Sequence, residues 1–131
     1  MKKRVFKTKT FARWAKKLVP DDLLCQAARE IERGEFEADL GQGVCKKRIA
    51  LPGQGKSGGT RSLVAKQHKS AVFFLAGREK SDPGTDFSIK EEEAAKFVGK
   101  GLQSATLEKL DELKINGVLT EICHDQENKS E

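Results

Sequence analysis

The segment KKRIALPGQGKSGGTRSLVA, residues 46–65, places apolar and β-branched residues on both sides of a glycine-rich stretch. This pattern predicts two strands, at 44–51 and 61–66, joined by a flexible basic loop at 52–59. Short links between consecutive strands favour antiparallel pairing, so we expect this segment to form the centre of an antiparallel meander.

The glycine-rich loop contains the Gly-Lys-Ser core of a Walker A phosphate-binding motif. However, Ala50 stands where that motif has its first glycine. The motif also requires a helix directly after Ser57, and Gly58 and Gly59 are poor helix formers. The sequence therefore disfavours a nucleotide-binding loop and leaves another kind of phosphate contact to be considered.

The sequence before the meander predicts a strand and a helix hairpin. A short strand at 5–8 is followed by apolar residues at helical spacing over 11–18. The second helix is expected to begin with Asp21 as its N-cap and to end at Gly34. A further short strand is expected at 36–40.

The sequence after the apolar strand 71–77 is predominantly helical. Ser88 and Glu91 form a capping box for a helix through about Val98, where Gly99 and Gly101 are expected to interrupt it. A last helix from 107 to 116 and a strand at 118–122 complete one domain, residues 1–123, and leave 124–131 as a polar tail expected to be disordered.

Cysteine usage and hydropathy set the broad class of protein. Cys25, Cys45 and Cys123 are an odd number without tight spacing, so we expect three reduced thiols and no metal site. No run of about 18 apolar residues is present that would span a membrane. The basic N-terminus has no apolar segment of a secretory signal behind it, so we expect a cytoplasmic protein.

The charge is distributed unevenly along the chain. Residues 1–80 hold 19 Lys and Arg against 8 Asp and Glu, a net charge of +11, whereas residues 81–131 hold 6 against 12, a net charge of −6. A basic body of this kind favours a polyanionic partner, and we expect nucleic acid.

Three segments resemble the RelE/ParE toxin superfamily of bacterial toxin–antitoxin pairs, specifically the RelE-type branch near HigB. They are RVFKTKTFARWAKK (4–17), KKRIALPGQGKSGGTRSLVA (46–65) and FFLAGREKSD (73–82), and the resemblance extends over roughly 4–123. It implies an α+β RelE-like fold, with an antiparallel sheet of about four strands, an N-terminal helix hairpin and one or two C-terminal helices.

The resemblance also implies an activity and two partners. Toxins of this kind are endoribonucleases (mRNA interferases) that cut mRNA in the ribosomal A site and so inhibit translation, without a metal or other cofactor. A cognate antitoxin, here expected to be a helix-turn-helix protein, neutralises the toxin. We expect an acidic antitoxin segment to cover the basic body, with exposed apolar residues of the helix hairpin as anchors, namely Leu18, Val19 and Leu23.

Such cleavage needs few protein groups, because the ribose 2′-OH of the RNA is the nucleophile. A cluster of Lys and Arg stabilises the charged transition state, and a crowded Lys with a lowered pKa would serve as a base. The catalytic candidates are Lys46, Arg48, Arg61 and Lys80. Arg61 is expected on the scissile phosphate, and Lys80 is expected to be a second phosphate ligand or the acid.

Further cations are candidates for RNA binding. Lys56 is expected to contact phosphate from the glycine loop, and Lys47 would replace Lys46 if the register of the strand were shifted by one. Relatives tend to have an aromatic residue where Ala76 stands and an apolar one where Arg78 stands, so Arg78 is a candidate for base stacking.

The chain has no Tyr, and its two histidines, His68 and His124, are expected to be surface residues rather than catalysts.

Two other functions remain open from the sequence. One is a ParE-like toxin of the same fold that inhibits DNA gyrase by protein contact, and the other is a non-catalytic nucleic-acid-binding module. The basic row facing a glycine loop favours the nuclease, because a gyrase inhibitor needs no convergent phosphate site.

Overall fold

The computed structural model describes residues 2–53, 55–79, 82 and 86–124, apart from the side chains of 55–58. The predicted tail 125–131 lies outside the described residues. Within those ranges the secondary structure is an α+β arrangement of four helices and six strands. In chain order the elements are β1 (Arg4–Thr8), α1 (Lys9–Ala15), α2 (Asp21–Glu32), β2 (Ala38–Gly41), β3 (Val44–Leu51), β4 (Gly55–Ala65), β5 (Ala71–Glu79), α3 (Ile89–Gln103), α4 (Leu107–Ile115) and β6 (Leu119–Ile122).

The strands form one sheet in the order β2-β3-β4-β5-β1-β6. Strands β2 to β5 make the expected antiparallel meander, whereas β1 pairs parallel to β5 and antiparallel to β6. The expectation of about four antiparallel strands was therefore wrong, because the described sheet has six strands and one parallel pairing. The four-residue edge strands β2 and β6 correspond to the short strands predicted at 36–40 and 118–122, so the count of about four, which came from the resemblance, was too low.

Helices cover both faces of the sheet. The hairpin of α1 and α2 packs on one face, over a core that includes Phe11, Leu24 and Phe74. Helices α3 and α4 pack on the other face, over Phe73, Leu110 and other buried residues. Because side chains alternate along a strand, the adjacent Phe73 and Phe74 serve opposite cores.

Two glycines in α3 do not interrupt the helix, contrary to the prediction. The capping box of Ser88 and Glu91 is present, and the helix continues through both glycines to Gln103. A Cβ on Gly99 would lie 3.3 Å from Val44 and 3.4 Å from Ala65, so this glycine lets the helix approach the sheet closely. Burial against the sheet outweighs the weak helix propensity of glycine here.

The N-terminal hairpin differs from the prediction in two details. Pro20, rather than Asp21, is the N-cap of α2, and Asp21 instead pairs with Lys7 at 2.8 Å. Val19 is buried, and Leu18 and Leu23 are partly buried against the core, so these residues are not the exposed anchors that were expected. Among the described residues, the large exposed apolar side chains are Ile89, Phe97, Val98, Leu107, Ile115 and Val118.

Cys25 and Cys123 form a disulfide, with their Cα atoms 5.6 Å apart. The expectation of three reduced thiols was therefore wrong for this pair. The two residues are 98 positions apart in sequence, and the pairing of β6 with β1 brings Cys123 to α2. Cys45 is free and buried, and burial raises the pKa of its thiol to about 12. In the described part of the chain, no helix is long and apolar enough to cross a membrane.

Candidate functional site

Three arginines stand side by side across the centre of the sheet. Arg48 on β3 is the register partner of Arg61 on β4, and Arg61 is the register partner of Arg78 on β5. Directly paired residues project to the same face, and adjacent strands are about 4.8 Å apart. The three positions, which we call the arginine row, therefore span about 10 Å on the face covered by α3.

Lys46 extends the arginine row along β3. It lies two residues before Arg48 and so shares its face. Its Nζ atom donates to Asp86 Oδ2 at 2.6 Å and lies 3.1 Å from Glu92 Oε2. The other oxygen of Asp86 lies 4.0 Å from Arg61 Nη1, so one carboxylate contacts cations on two strands.

Arg78 holds the segment that carries Asp86. Its side chain is largely buried, its guanidinium donates to the backbone carbonyls of Asp82 (3.0 Å) and Asp86, and it lies 6.0 Å from the ring centroid of Phe87. Arg78 was a candidate for base stacking, but its side chain is only 7% exposed and does not present its guanidinium to a nucleic-acid base. Its contacts instead fix the backbone beside the arginine row.

The carboxyl side of the site is also ordered by local hydrogen bonds. The Phe87 N–H donates to Asp86 Oδ1 at 2.7 Å, and the Glu79 N–H donates to Asp82 Oδ2 at 2.8 Å. Ser88 then caps the first turn of α3, which carries Glu92. The chain therefore enters α3 with two carboxylates, Asp86 and Glu92, directed at Lys46.

Both partners of the central ion pair are charged at neutral pH. Burial opposes the charge of Lys46, but the hydrogen bonds and negative charges of Asp86 and Glu92 outweigh it and raise the pKa of the ammonium. Burial likewise opposes the charge of Asp86, but Lys46, the Phe87 N–H and Arg61 together lower the pKa of this carboxyl. The expected lowering of a lysine pKa is therefore wrong for Lys46, because its neighbours include carboxylates as well as cations.

Lys47 lies on the opposite face of the sheet from Lys46. Its side chain is 2% exposed, and its Nζ atom contacts Glu30 Oε1 and the carbonyl of Glu35, both at 2.8 Å. The alternative register, in which Lys47 replaces Lys46, is therefore wrong. Buried and paired in this way, Lys47 is a structural ion-pair residue and not a surface contact for RNA.

The glycine-rich segment is mostly strand rather than loop. Strand β4 begins at Gly55, so the predicted loop 52–59 is reduced to a short turn at Pro52 and Gly53, whose φ is +79°. A Cβ on Gly59 would lie 2.3 Å from the Ile49 carbonyl oxygen, so glycine permits the close pairing of β3 and β4. The Gly-Lys-Ser core lies inside β4, which continues to Ala65 where a Walker A motif would begin a helix.

Two candidate lysines cannot be placed in the site. The backbone of Lys56 belongs to β4, but its side chain lies outside the described part of the chain. Lys80 lies outside the described residues altogether. Their assignment as phosphate contacts stays a prediction.

The two histidines lie apart from the arginine row. His68 is buried, contrary to the expected surface position; its Nδ1 accepts from the Ser70 N–H, and its Nε2 lies 2.9 Å from the Ala105 carbonyl oxygen. Because Nδ1 is an acceptor, Nε2 carries the hydrogen and both ring nitrogens have partners. His124 is exposed beside β6, as expected.

Sequence reasoning missed Asp86 and Glu92. Both residues lie in a stretch that was interpreted as a turn followed by an ordinary capping box. The available signal was the placement of two acidic residues on either side of the helix start predicted at Ser88. The ranges that the structure describes contain no group of three or more His, Cys, Asp or Glu side chains arranged to hold a metal ion.

Comparison with known proteins assigns the chain to a family. A search of the curated proteins found no match. The family described as "RelE toxin of RelE / RelB toxin-antitoxin system" matches residues 3–122, which include every strand and helix named above. The chain with this six-stranded sheet and arginine row therefore belongs to the RelE toxins of toxin–antitoxin systems.

Proposed function

We propose that this toxin is a ribosome-dependent endoribonuclease that cuts mRNA in the A site and thereby inhibits translation. The observation that carries the proposal is the cross-strand pairing of Arg48 with Arg61, with Lys46 on the same face and Arg78 holding the backbone beside them. Convergent cations of this kind suit a phosphodiester whose charge increases in the transition state. RelE toxins, to which the chain belongs, are generally endoribonucleases.

Arg61 is the group that we assign to the scissile phosphate. It occupies the middle of the arginine row, and its side chain is 36% exposed, so a phosphate can reach it. Arg48 and Lys46 flank it on β3 and add positive charge. From the sequence, Lys56 and Lys80 remain candidates for neighbouring phosphates.

A basic surface by itself is also compatible with two other functions, a gyrase inhibitor and a non-catalytic nucleic-acid-binding module. The pairing of Arg48 with Arg61 beside Lys46 favours the nuclease, because contact with a protein such as gyrase requires no charges converging on one phosphate. Ribosome dependence fits the same surface. Lys46 and Arg61 are already paired with carboxylates of the chain, so they would bind free RNA weakly and the ribosome would have to present the mRNA.

In vitro translation separates these functions. The purified toxin is added to a translation reaction on a defined mRNA, and the 5′ ends of the fragments are mapped by primer extension. We expect cuts at codon spacing that require ribosomes, and 2′,3′-cyclic phosphate at the new 3′ ends. A parallel gyrase supercoiling assay tests the alternative: relaxed plasmid together with intact mRNA would refute the nuclease.

Family membership implies an antitoxin partner, and we infer that it is a helix-turn-helix protein, as the resemblance to the HigB branch suggests. The toxin and its neighbouring reading frame would be co-expressed and analysed by size-exclusion chromatography. A stable complex that prevents mRNA cleavage is expected. An antitoxin without a helix-turn-helix domain would contradict this part of the proposal.

A further inference from the structure

The proposed cleavage requires a base for the ribose 2′-OH, and the cations in the described part of the site do not supply one. Arginine remains protonated, and Lys46 is held in its ammonium form by two carboxylates. The chain contains no tyrosine. His68 is buried with both ring nitrogens engaged, and the thiol of Cys45 is buried in the core.

Two carboxylates lie at the described part of the site, and they are not equivalent. Glu92 contacts Lys46 at 3.1 Å, and its side chain is 21% exposed. Asp86 contacts Lys46 at 2.6 Å and also approaches Arg61 at 4.0 Å, and its side chain is 39% exposed. Asp86 is therefore the carboxylate that lies both beside the assigned phosphate ligand and within reach of a substrate.

The backbone at Asp86 is held independently of this ion pair. The backbone carbonyl of Asp86 accepts from the buried Arg78. The carboxylate oxygen Oδ1 accepts from the Phe87 N–H at 2.7 Å, which ties the side chain to the start of α3. A phosphate that enters between Lys46 and Arg61 would displace the carboxylate from the lysine while leaving the backbone in place. The carboxylate would then lie next to the ribose that carries this phosphate.

We propose that Asp86 is the general base of the cleavage and that Lys46 is its general acid, an inference that rests on the proposed nuclease function. The Asp86 carboxylate takes the proton of the 2′-OH as the 2′-oxygen bonds to phosphorus. The bond from phosphorus to the 5′-oxygen breaks, and Lys46 gives that oxygen a proton. The products are a 2′,3′-cyclic phosphate and a 5′-hydroxyl.

The same ion pair returns the site to its starting state. After one turnover Asp86 carries a proton that Lys46 has lost. When the product leaves, the two side chains regain their 2.6 Å contact, and the proton passes from the carboxyl to the amine. No other proton donor or acceptor is needed to balance the reaction.

The first test is Asp86→Asn, which keeps the shape of the side chain and an oxygen for the Phe87 N–H. We expect its single-turnover cleavage rate on ribosomes to fall by about 10²- to 10⁴-fold, the usual contribution of a general base. Ribosome binding should be unchanged or tighter, because a negative charge is removed from a basic surface. Glu93→Gln is the matched control, since it removes an exposed carboxylate of the same helix that contacts Lys96 rather than Lys46, and it should keep wild-type activity.

A second test distinguishes the base from a positioning role. In a synthetic mRNA with sulfur in place of the bridging 5′-oxygen at the scissile bond, the leaving group needs no protonation. This substrate should restore cleavage by Lys46→Ala and should leave Asp86→Asn inactive. Asp86→Glu, which retains a carboxylate, should keep partial activity, and it also serves if the asparagine variant fails to fold by circular dichroism.

The outcomes separate the two proposals. Wild-type protein that cuts no mRNA refutes the proposed function itself. Wild-type cleavage together with a fully active or faster Asp86→Asn refutes the base alone and leaves Asp86 as a counterion that covers the arginine row. Recovery of Asp86→Asn on the sulfur substrate, or an equal loss with Glu93→Gln, would also overturn the assignment.

Discussion

Arg61→Ala removes the middle member of the arginine row, and we expect it to slow mRNA cleavage strongly without unfolding the protein. One of its contacts, with Asp86, is at 4.0 Å, and its side chain is 36% exposed. Partly exposed ion pairs of this kind contribute about 0–1 kcal/mol to stability. The free energy of unfolding should therefore change by no more than about 1 kcal/mol.

The effect on cleavage should be much larger than the effect on stability. A charged donor on a phosphate in a partly dry site contributes about 2–4 kcal/mol to the transition state. At 1.36 kcal/mol per factor of ten, the loss corresponds to about 30- to 1000-fold in rate. Arg61→Lys should recover part of that loss, because it keeps the charge and loses the bidentate geometry of the guanidinium.

The assay is single-turnover cleavage of a defined mRNA on ribosomes, with growth inhibition at equal expression as the cellular readout. Arg13→Ala is the matched control, since it removes the same charge from an exposed position on α1, over the other face of the sheet. The control should retain full activity. Full activity of both variants would place Arg61 outside the site. The same loss of activity in both would show that only the net charge matters.

Three further predictions concern stability and RNA binding. Arg4 and Lys114 lower the pKa of Glu121 to about 2 despite its burial. This carboxylate should therefore stabilise the fold by about 1–2 kcal/mol above pH 4.5 and lose that effect as the pH falls toward 2. In urea unfolding at several pH values, the difference in stability between the wild type and Glu121→Gln should disappear in that range, with Glu108→Gln as control. Thr60→Val should leave stability unchanged or raise it by up to about 1 kcal/mol, because Thr60 Oγ1 is buried without a hydrogen-bond partner in the described ranges; a clear loss in thermal unfolding would show that this hydroxyl has a partner. Free RNA should bind weakly, with log K falling by about 2 to 3 per decade of salt, as three or four phosphate contacts require; a salt-independent affinity measured by fluorescence anisotropy would remove the electrostatic argument.

The local features of the fold could be predicted because local patterns determine them. Strand 44–51 and the capping box of Ser88 and Glu91 were predicted with the observed bounds, since period-two apolar alternation and cap chemistry act over a few residues. The same alternation placed Lys46 and Arg48 on one face and Lys47 on the other. Which of the two faces is buried depends on helix packing. The strand sequence alone therefore could not predict that Lys47 lies under α2.

The features that could not be predicted depend on contacts distant in sequence. Asp86 reaches Lys46 from 40 positions away, and the disulfide partners are 98 positions apart. Gly99 was predicted to interrupt a helix because helix propensity describes the residue alone and does not include its contacts in the fold. In the folded protein, the same missing side chain lets α3 lie against Val44 and Ala65.

The basic and acidic parts of the sequence are not separated in the folded protein. The acidic C-terminal third folds back onto the basic body, where Asp86 and Glu92 pair with Lys46, and Glu121 pairs with Arg4. Nucleic acid must therefore compete with the carboxylates of the chain for the cations that would bind it. A phosphate held in place by the ribosome can win that competition when free RNA does not, because its entropy of positioning is already lost. On this argument the carboxylates at Lys46 would restrain the toxin away from ribosomes, and the proposed dependence on the ribosome would follow from ion pairs between the sheet and α3.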